Sequence, residues 1–271
     1  TKIILSFLVV IVIGGLISLS LGSRLVKTTL IKEAQEKVKD DLAAAWMVFN
    51  DKLADIQEIV SLTAARESLQ EAIKVDRKDI LMRALSRVRE ESDLDVLTLT
   101  DSRGKVIIRT RNPEIVGDDQ SQDEIVKQAL KKKVLSFPQI VSREELLKEG
   151  SDLAEQAYIE FIETPKAAPR PENKETSGLM LKAAASVVDQ NNTLLGVLYG
   201  GILLNRNFEI VDRVKELVYK EEKYRGRDVG TATIFQNDLR ISTNVKDEKG
   251  ERAIGTRVSK EVNDAVLVEG K

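Results

Sequence analysis

No cysteine and no histidine occur anywhere in the sequence. The first absence excludes disulfides, thiolate zinc sites and cysteine nucleophiles. The second removes the commonest general base and the commonest transition-metal ligand, so a Ser-His-Asp triad, a zinc-protease site and a phosphorelay histidine are all impossible within this chain. Charge of one sign is also lacking. With 42 basic and 44 acidic residues the net charge is −2, which points to neither nucleic acid nor a strongly acidic partner. Tryptophan occurs once, as Trp46, and proline five times. The expectation is a chain with no catalytic residue, no metal and no cofactor of its own.

What is present begins with an uncharged apolar run over residues 3–22, interrupted only by Ser6, Ser18 and Ser20. Twenty residues at about 1.5 Å each match a hydrocarbon core of about 30 Å, so residues 1–22 are expected to form a transmembrane helix rather than a signal peptide. The flanking charges do not set its orientation. Thr1 is not an initiator methionine and Lys271 stops inside a patterned region, so a fragment of a longer protein is expected.

Residues 25–75 contain neither proline nor glycine. A stripe of Ile31, Ala34, Val38, Leu42, Ala45, Phe49, Leu53, Ile56, Val60 and Thr63 falls in steps of three and four, the spacing of a helix with one apolar face. A helical stalk over 23–91 follows, broken near Asp76, whose stripe serves as a domain spine, a dimer seam, or both. Trp46 beside it is a packing anchor or a stacking platform.

Residues 95–113 read as strand, turn, strand, ending in Arg109-Thr110-Arg111-Asn112-Pro113. Ser121 and Ser142 each stand three residues before a glutamate, the capping-box spacing. Asp118-Asp119 either terminates a turn or holds a metal. Residues 164–178, rich in proline and charge, make a long loop read as a lid. Two strands then follow, the first with Lys182 among small apolar neighbours and the second with Tyr199 between Gly196 and Gly200-Gly201. A lysine in such a setting faces a ligand or an exposed edge. Asn205 is read as the cap of a helix reaching Tyr219. From Gly230 the strand–turn–strand pattern recurs, and the sequence ends before any return strands.

The stretches GTATIFQNDLRISTNV and GERAIGTRVSKEV (230–262), with LLGVLYGGILLNRNFEIVDRV (194–214), carry a family resemblance. The order of span, long helix, PAS-like sheet unit, linking helix and second unit resembles the double Cache sensory modules of bacterial sensor histidine kinases and methyl-accepting chemotaxis receptors. The resemblance implies an α+β fold: a first, membrane-distal Cache unit over 92–204 with an antiparallel sheet, a linking helix over 205–227, and a second, truncated unit over 228–271. It also implies an extracytoplasmic, periplasmic location on the inner membrane.

Citrate and dicarboxylate sensors of this family hold their ligand through an R-x-x-H-P strand exit and a basic pair on a later strand. Arg109 and Asn112 stand at the first pattern, Asn112 replacing the histidine, and Lys182 leads the second. The resemblance thus implies a ligand site of Arg109, Arg111, Asn112, Lys182 and Tyr199, a small anionic ligand, a homodimer, and a signal passed as a helix displacement. A ligand-free dimerising anchor and a carboxylate-based metal enzyme are the alternatives.

Overall fold

The computed structural model describes residues 2–219, 223–224, 227–228 and 230–270, and of residues 2–13, 16, 17, 223, 224, 227 and 228 the backbone only. The chain divides into two compact units, Thr1–Trp46 and Met47–Lys271. The described residues of the first are all helical, the opening part of α1 (Lys2–Ala64). Among the described residues no helix is long and apolar enough to cross a membrane, and most of the run expected to span one lies outside those whose side chains are described. In this unit Ile31, Val38, Leu42 and Trp46 are exposed.

In the second unit the same stripe goes inside: Ile56, Val60 and Thr63 are buried. α1 stops at Ala64, earlier than the composition suggests. Arg66 turns into extended backbone, and α2 (Glu67–Lys74) and α3 (Lys78–Glu91) follow with Leu69, Leu81 and Leu85 buried. The break comes from tertiary packing, because no local breaker residue occupies 65–66.

The central sheet has five antiparallel strands in the order β2-β1-β7-β6-β3. These are β1 (Val96–Asp101), β2 (Val106–Arg109), β3 (Leu135–Val141), β6 (Gly178–Val188) and β7 (Leu194–Leu203). The patterning gives no sign of β3, which carries Pro138. The proline is tolerated because β3 is an edge strand. Alternation sorts the side chains into two faces. Leu97, Leu99, Leu181 and Leu198 lie on the face toward α1 and α3. A methyl group built on Gly200 of that face would sit 2.8 Å from Val96 O and 3.4 Å from Val60 Cγ2, so the glycine lets α1 close on β7.

The opposite face is covered by α4 (Glu124–Ala129), α5 (Arg143–Glu149) and α6 (Ser151–Ala157). α4 is capped by Asp123, not Ser121: Asp123 Oδ1 accepts from Val126 N at 3.3 Å, while Ser121 N is held by Asp119. Ser142 does cap α5.

The loop after β4 (Ile159–Glu160) and its partner β5 (Lys174–Glu175) does not roof the central sheet. It packs instead on the second hairpin, β10 (Thr233–Gln236) and β11 (Leu239–Thr243). Buried Asp238 accepts from Arg170 of the loop at 2.9 Å and from Arg257 at 2.6 Å. Lys260 N donates to Lys166 O, and Ile162 N to Gly255 O. The lid expectation is therefore corrected: the segment is a clamp between the two sheets. Asn205 is no helix cap either. It is fully buried, accepting from Leu179 N and donating to Ala157 O, while Asn207 Oδ1 accepts from Glu209 N at the start of α7 (Glu209–Tyr219). A short hairpin, β8 (Lys223–Tyr224) and β9 (Arg227–Asp228), precedes β10, and α8 (Lys260–Asn263) runs into a π-helical turn, Asp264–Val268.

Candidate functional site

One row of cross-strand neighbours sets the site. Arg109 on β2 pairs with Thr98 on β1, Thr98 with Tyr199 on β7, and Tyr199 with Ala184 on β6. Lys182, two residues from Ala184, shares their face. The register thus brings Arg109, Tyr199 and Lys182 to one side of the sheet, under α4 and α5. Both cations are nearly inaccessible, Arg109 at 1% exposure and Lys182 at 5%.

Neither cation is free of counter-charge. Arg109 Nε donates to Glu149 Oε1 at 2.9 Å, Nη1 and Nη2 reach Asp118 at 3.0 and 3.2 Å, and Nη1 also meets Ile115 O. Lys182 Nζ donates to Asp123 Oδ2 at 2.8 Å and lies 4.7 Å from the centroid of the Tyr199 ring. Burial opposes the charge on Asp118, but the hydrogen bonds from Arg109 and Gln120 outweigh it and hold the carboxyl well below the usual range. At Asp123 burial is likewise outweighed, chiefly by Lys182, and the carboxyl titrates low. At Glu149 burial wins over Arg109 and Thr98 and pushes the carboxyl up. Burial and the nearby Glu149 charge raise the Tyr199 phenol, which stays neutral.

Between this face and the helices lies a cavity of about 150 Å³. Its polar walls are Gln120, Asp123, Gln139, Ser142, Glu145, Glu149, Lys182 and Tyr199, with Val96, Leu146 and Met180 among its apolar ones. Of the five residues expected from sequence, Lys182 and Tyr199 line the cavity. Arg109 sits behind Glu149. Arg111 pairs with Asp152 away from it, and the backbone carbonyl of Asn112 accepts from Ile115 N in the turn that follows.

The expectation of an anionic ligand rests on Arg109 and Lys182. With each already countered by carboxylates, that ground is removed. Sequence reasoning missed Asp123, Gln139, Glu145 and Glu149. Glu145 and Glu149 carried a signal, since they stand four apart on one short helix and so share a face. Gln139 carried none, lying on the unrecognised edge strand. The metal alternative also weakens. Asp118 is engaged by Arg109 and Asp119 by Ser121 N, and among the described residues no three acidic groups gather as metal ligands.

Two family models match the chain. Residues 31–136 match the double sensory domain of two-component sensor kinases (dCache_3), and residues 202–271 match single cache domain 3 (sCache_3_3). Among solved structures, the periplasmic domain of Vibrio cholerae LuxQ is 16% identical, aligning 79% of this chain with 82% of that one at a TM-score of 0.45. The V. cholerae histidine kinase DctB sensor domain is 12% identical over 90% of this chain and 77% of that one, TM-score 0.47. The ligand-binding domain of the Campylobacter jejuni chemoreceptor Tlp3, in complex with L-norvaline, is 15% identical over 87% and 69%, TM-score 0.31. No curated protein sequence matches. One Cache model matches part of α1 and the first hairpin and another the end of β7 and the second hairpin, and together the two matches support a double Cache sensory module.

Proposed function

We propose that the chain is the extracytoplasmic sensing region of a bacterial transmembrane receptor, with a sensor-kinase or chemotaxis output. A small molecule enters the cavity under α4 and α5, and its binding is passed on as a displacement of α1. One observation carries this reading. Tyr199 lines the cavity on one face of β7, and the next residue, Gly200, packs against Val60 of α1 on the other. A ligand that shifts β7 therefore acts on α1 across a single strand. A ligand favouring neither position of the helix would transmit nothing.

Two further parts belong to the same reading. Residues 3–22 cross the inner membrane, with the sheets on its outer side. The exposed apolar residues Ile31, Val38 and Leu42 meet the same stripe of a second copy, since a helix face of that composition is stable in water only when covered. The cavity weighs against a ligand-free structural anchor.

The absence of cysteine makes the test clean. Val38→Cys, placed in the full chain in membranes, should form an inter-copy disulfide. Its rate of formation should change when a cavity ligand is added. A monomer that never cross-links, or a rate indifferent to every cavity ligand, contradicts the reading.

A further inference from the structure

Every ionised group on the cavity wall already holds a partner of opposite charge. Asp123 accepts from Lys182 at 2.8 Å and from Gln139 at 2.9 Å. Glu145 accepts from Lys148 at 2.5 Å and from Gln120 at 2.8 Å. Glu149 accepts from Arg109 at 2.9 Å and from Thr98 at 3.1 Å. Lys182, the one cation among the described lining residues, is engaged by Asp123 and lies against the Tyr199 ring. A charge that leaves water for such a space gains only where it meets an uncompensated opposite charge. An ammonium here must displace Lys148, Lys182 or Arg109 from a carboxylate, and a carboxylate must displace Asp123 from Lys182. Either exchange strands one protein charge for each ligand charge it satisfies.

Uncharged hydrogen-bonding groups face no such exchange. A carboxylate oxygen that accepts one hydrogen bond keeps a second lone pair. Glu145 is the most exposed of the three carboxylates, at 39% of its side chain, and can accept a ligand hydroxyl or amide N–H without giving up Lys148. Gln139, half-buried on the same wall, turns its Nε2 to Asp123, and its Oε1 meets no donor in the fold. Val96, Leu146 and Met180 supply apolar wall. A cavity near 150 Å³ holds a molecule of about benzene's size.

We infer that this cavity takes an uncharged polar molecule, an alcohol or carboxamide of about benzene's size. Its O–H or N–H groups donate to Glu145 and Gln139 Oε1, and its carbons lie on Val96, Leu146 and Met180. The inference rests on the sensing reading above and narrows its ligand class, setting aside both the anion that Arg109 and Lys182 suggest in the sequence and a cation for the carboxylates.

A series of matched size and differing charge tests it: 1,4-butanediol and butanamide as uncharged members, pentylamine as the cation and butanoate as the anion, each titrated calorimetrically into the full chain near neutral pH. At least one uncharged member should bind about tenfold or more tighter than either ion. Glu145→Gln should weaken that binding by about tenfold with unchanged circular dichroism, the loss of one hydrogen bond to a charged acceptor. Lys148→Met takes the cation from Glu145 without altering a lining residue, and should let pentylamine bind about tenfold or more tighter than it binds the native chain. Arg111→Gln, whose partner lies outside the cavity, should leave all four unchanged. An ion that binds the native chain as tightly as the uncharged members would overturn the ligand class and leave the sensing reading standing. A Lys148→Met chain that still ignores pentylamine would overturn the role given to charge pairing. Silence from all four would also overturn the inference, and the sensing reading fails only if no small molecule of any class shifts the chain's melting midpoint.

Discussion

Arg109 Nε donates to Glu149 Oε1 at 2.9 Å, joining the end of β2 to the end of α5 with both side chains closed off from water. The contact has two consequences. It fastens the helix that roofs the cavity to the sheet that floors it. It also turns the residue that looks most like a ligand-binding arginine into a structural counter-charge.

Removing one partner of such a pair strands the other in a poor solvent for charge. Arg109→Met should therefore lower unfolding stability by about 3–5 kcal/mol in urea titrations. The double variant Arg109→Met with Glu149→Met should regain a large part of it, the non-additivity being the coupling between the two sites. Equal and additive losses would show that the pair is not coupled.

Acid should reach the site through Asp118. Its folded carboxyl titrates well below the usual value, so the stability it contributes is complete above the unfolded value of about 3.9 and is lost as the pH falls from there through the folded value. The difference in melting midpoint between the native chain and Asp118→Asn should stay constant from pH 7 to about pH 4.5 and close below about pH 4. A difference that closes near neutrality would contradict the Arg109–Asp118 geometry.

The second prediction shows where the sequence was legible and where it was not. Short-range pattern located the hairpin β1–β2, the helix start at Ser142 and the two strands that carry Lys182 and Tyr199. The face shared by Arg109, Tyr199 and Lys182 followed from alternation once the strands were paired. Three things depended on contacts distant in sequence. The break after Ala64 comes from packing on the sheet. β3 is concealed by Pro138, which an edge position tolerates. The clamp over residues 164–178 depends on Asp238, some 68 positions from Arg170. A strand-exit position, apolar neighbours and the family resemblance marked Arg109 and Lys182. Their carboxylate partners Asp118, Asp123 and Glu149 were each plausible as turn, cap or surface residues.

Asp238→Asn should loosen that clamp. Asp238 is 3% exposed and faces two guanidiniums, so its neutralisation leaves Arg170 and Arg257 without a counter-charge. Cleavage by trypsin at Lys166 should accelerate about tenfold or more, corresponding to more than about 1.4 kcal/mol of local opening, while cleavage within α5 stays unchanged. A uniform acceleration everywhere would mean global unfolding instead.

Gly200→Ala tests the close packing around β7, where β1 and α1 both approach. The added methyl would lie 2.8 Å from Val96 O and 3.0 Å from Leu97 Cδ1. The sheet or α1 must then give way, and the loss should be about 1–3 kcal/mol by thermal unfolding. An unchanged midpoint would mean that β1 does not close on β7 this tightly at Gly200.

The central claim is that a small molecule in the cavity under α4 and α5 is what the module senses. The most direct measurement is a thermal-shift screen of small metabolites, amines, amino acids and organic acids alike, against the full native chain, with each hit repeated on Glu145→Gln and Arg111→Gln. The account predicts at least one compound that raises the native midpoint, loses its effect in Glu145→Gln at the cavity rim and keeps it in Arg111→Gln outside. Hits that ignore Glu145→Gln, or no hit at all, would contradict it.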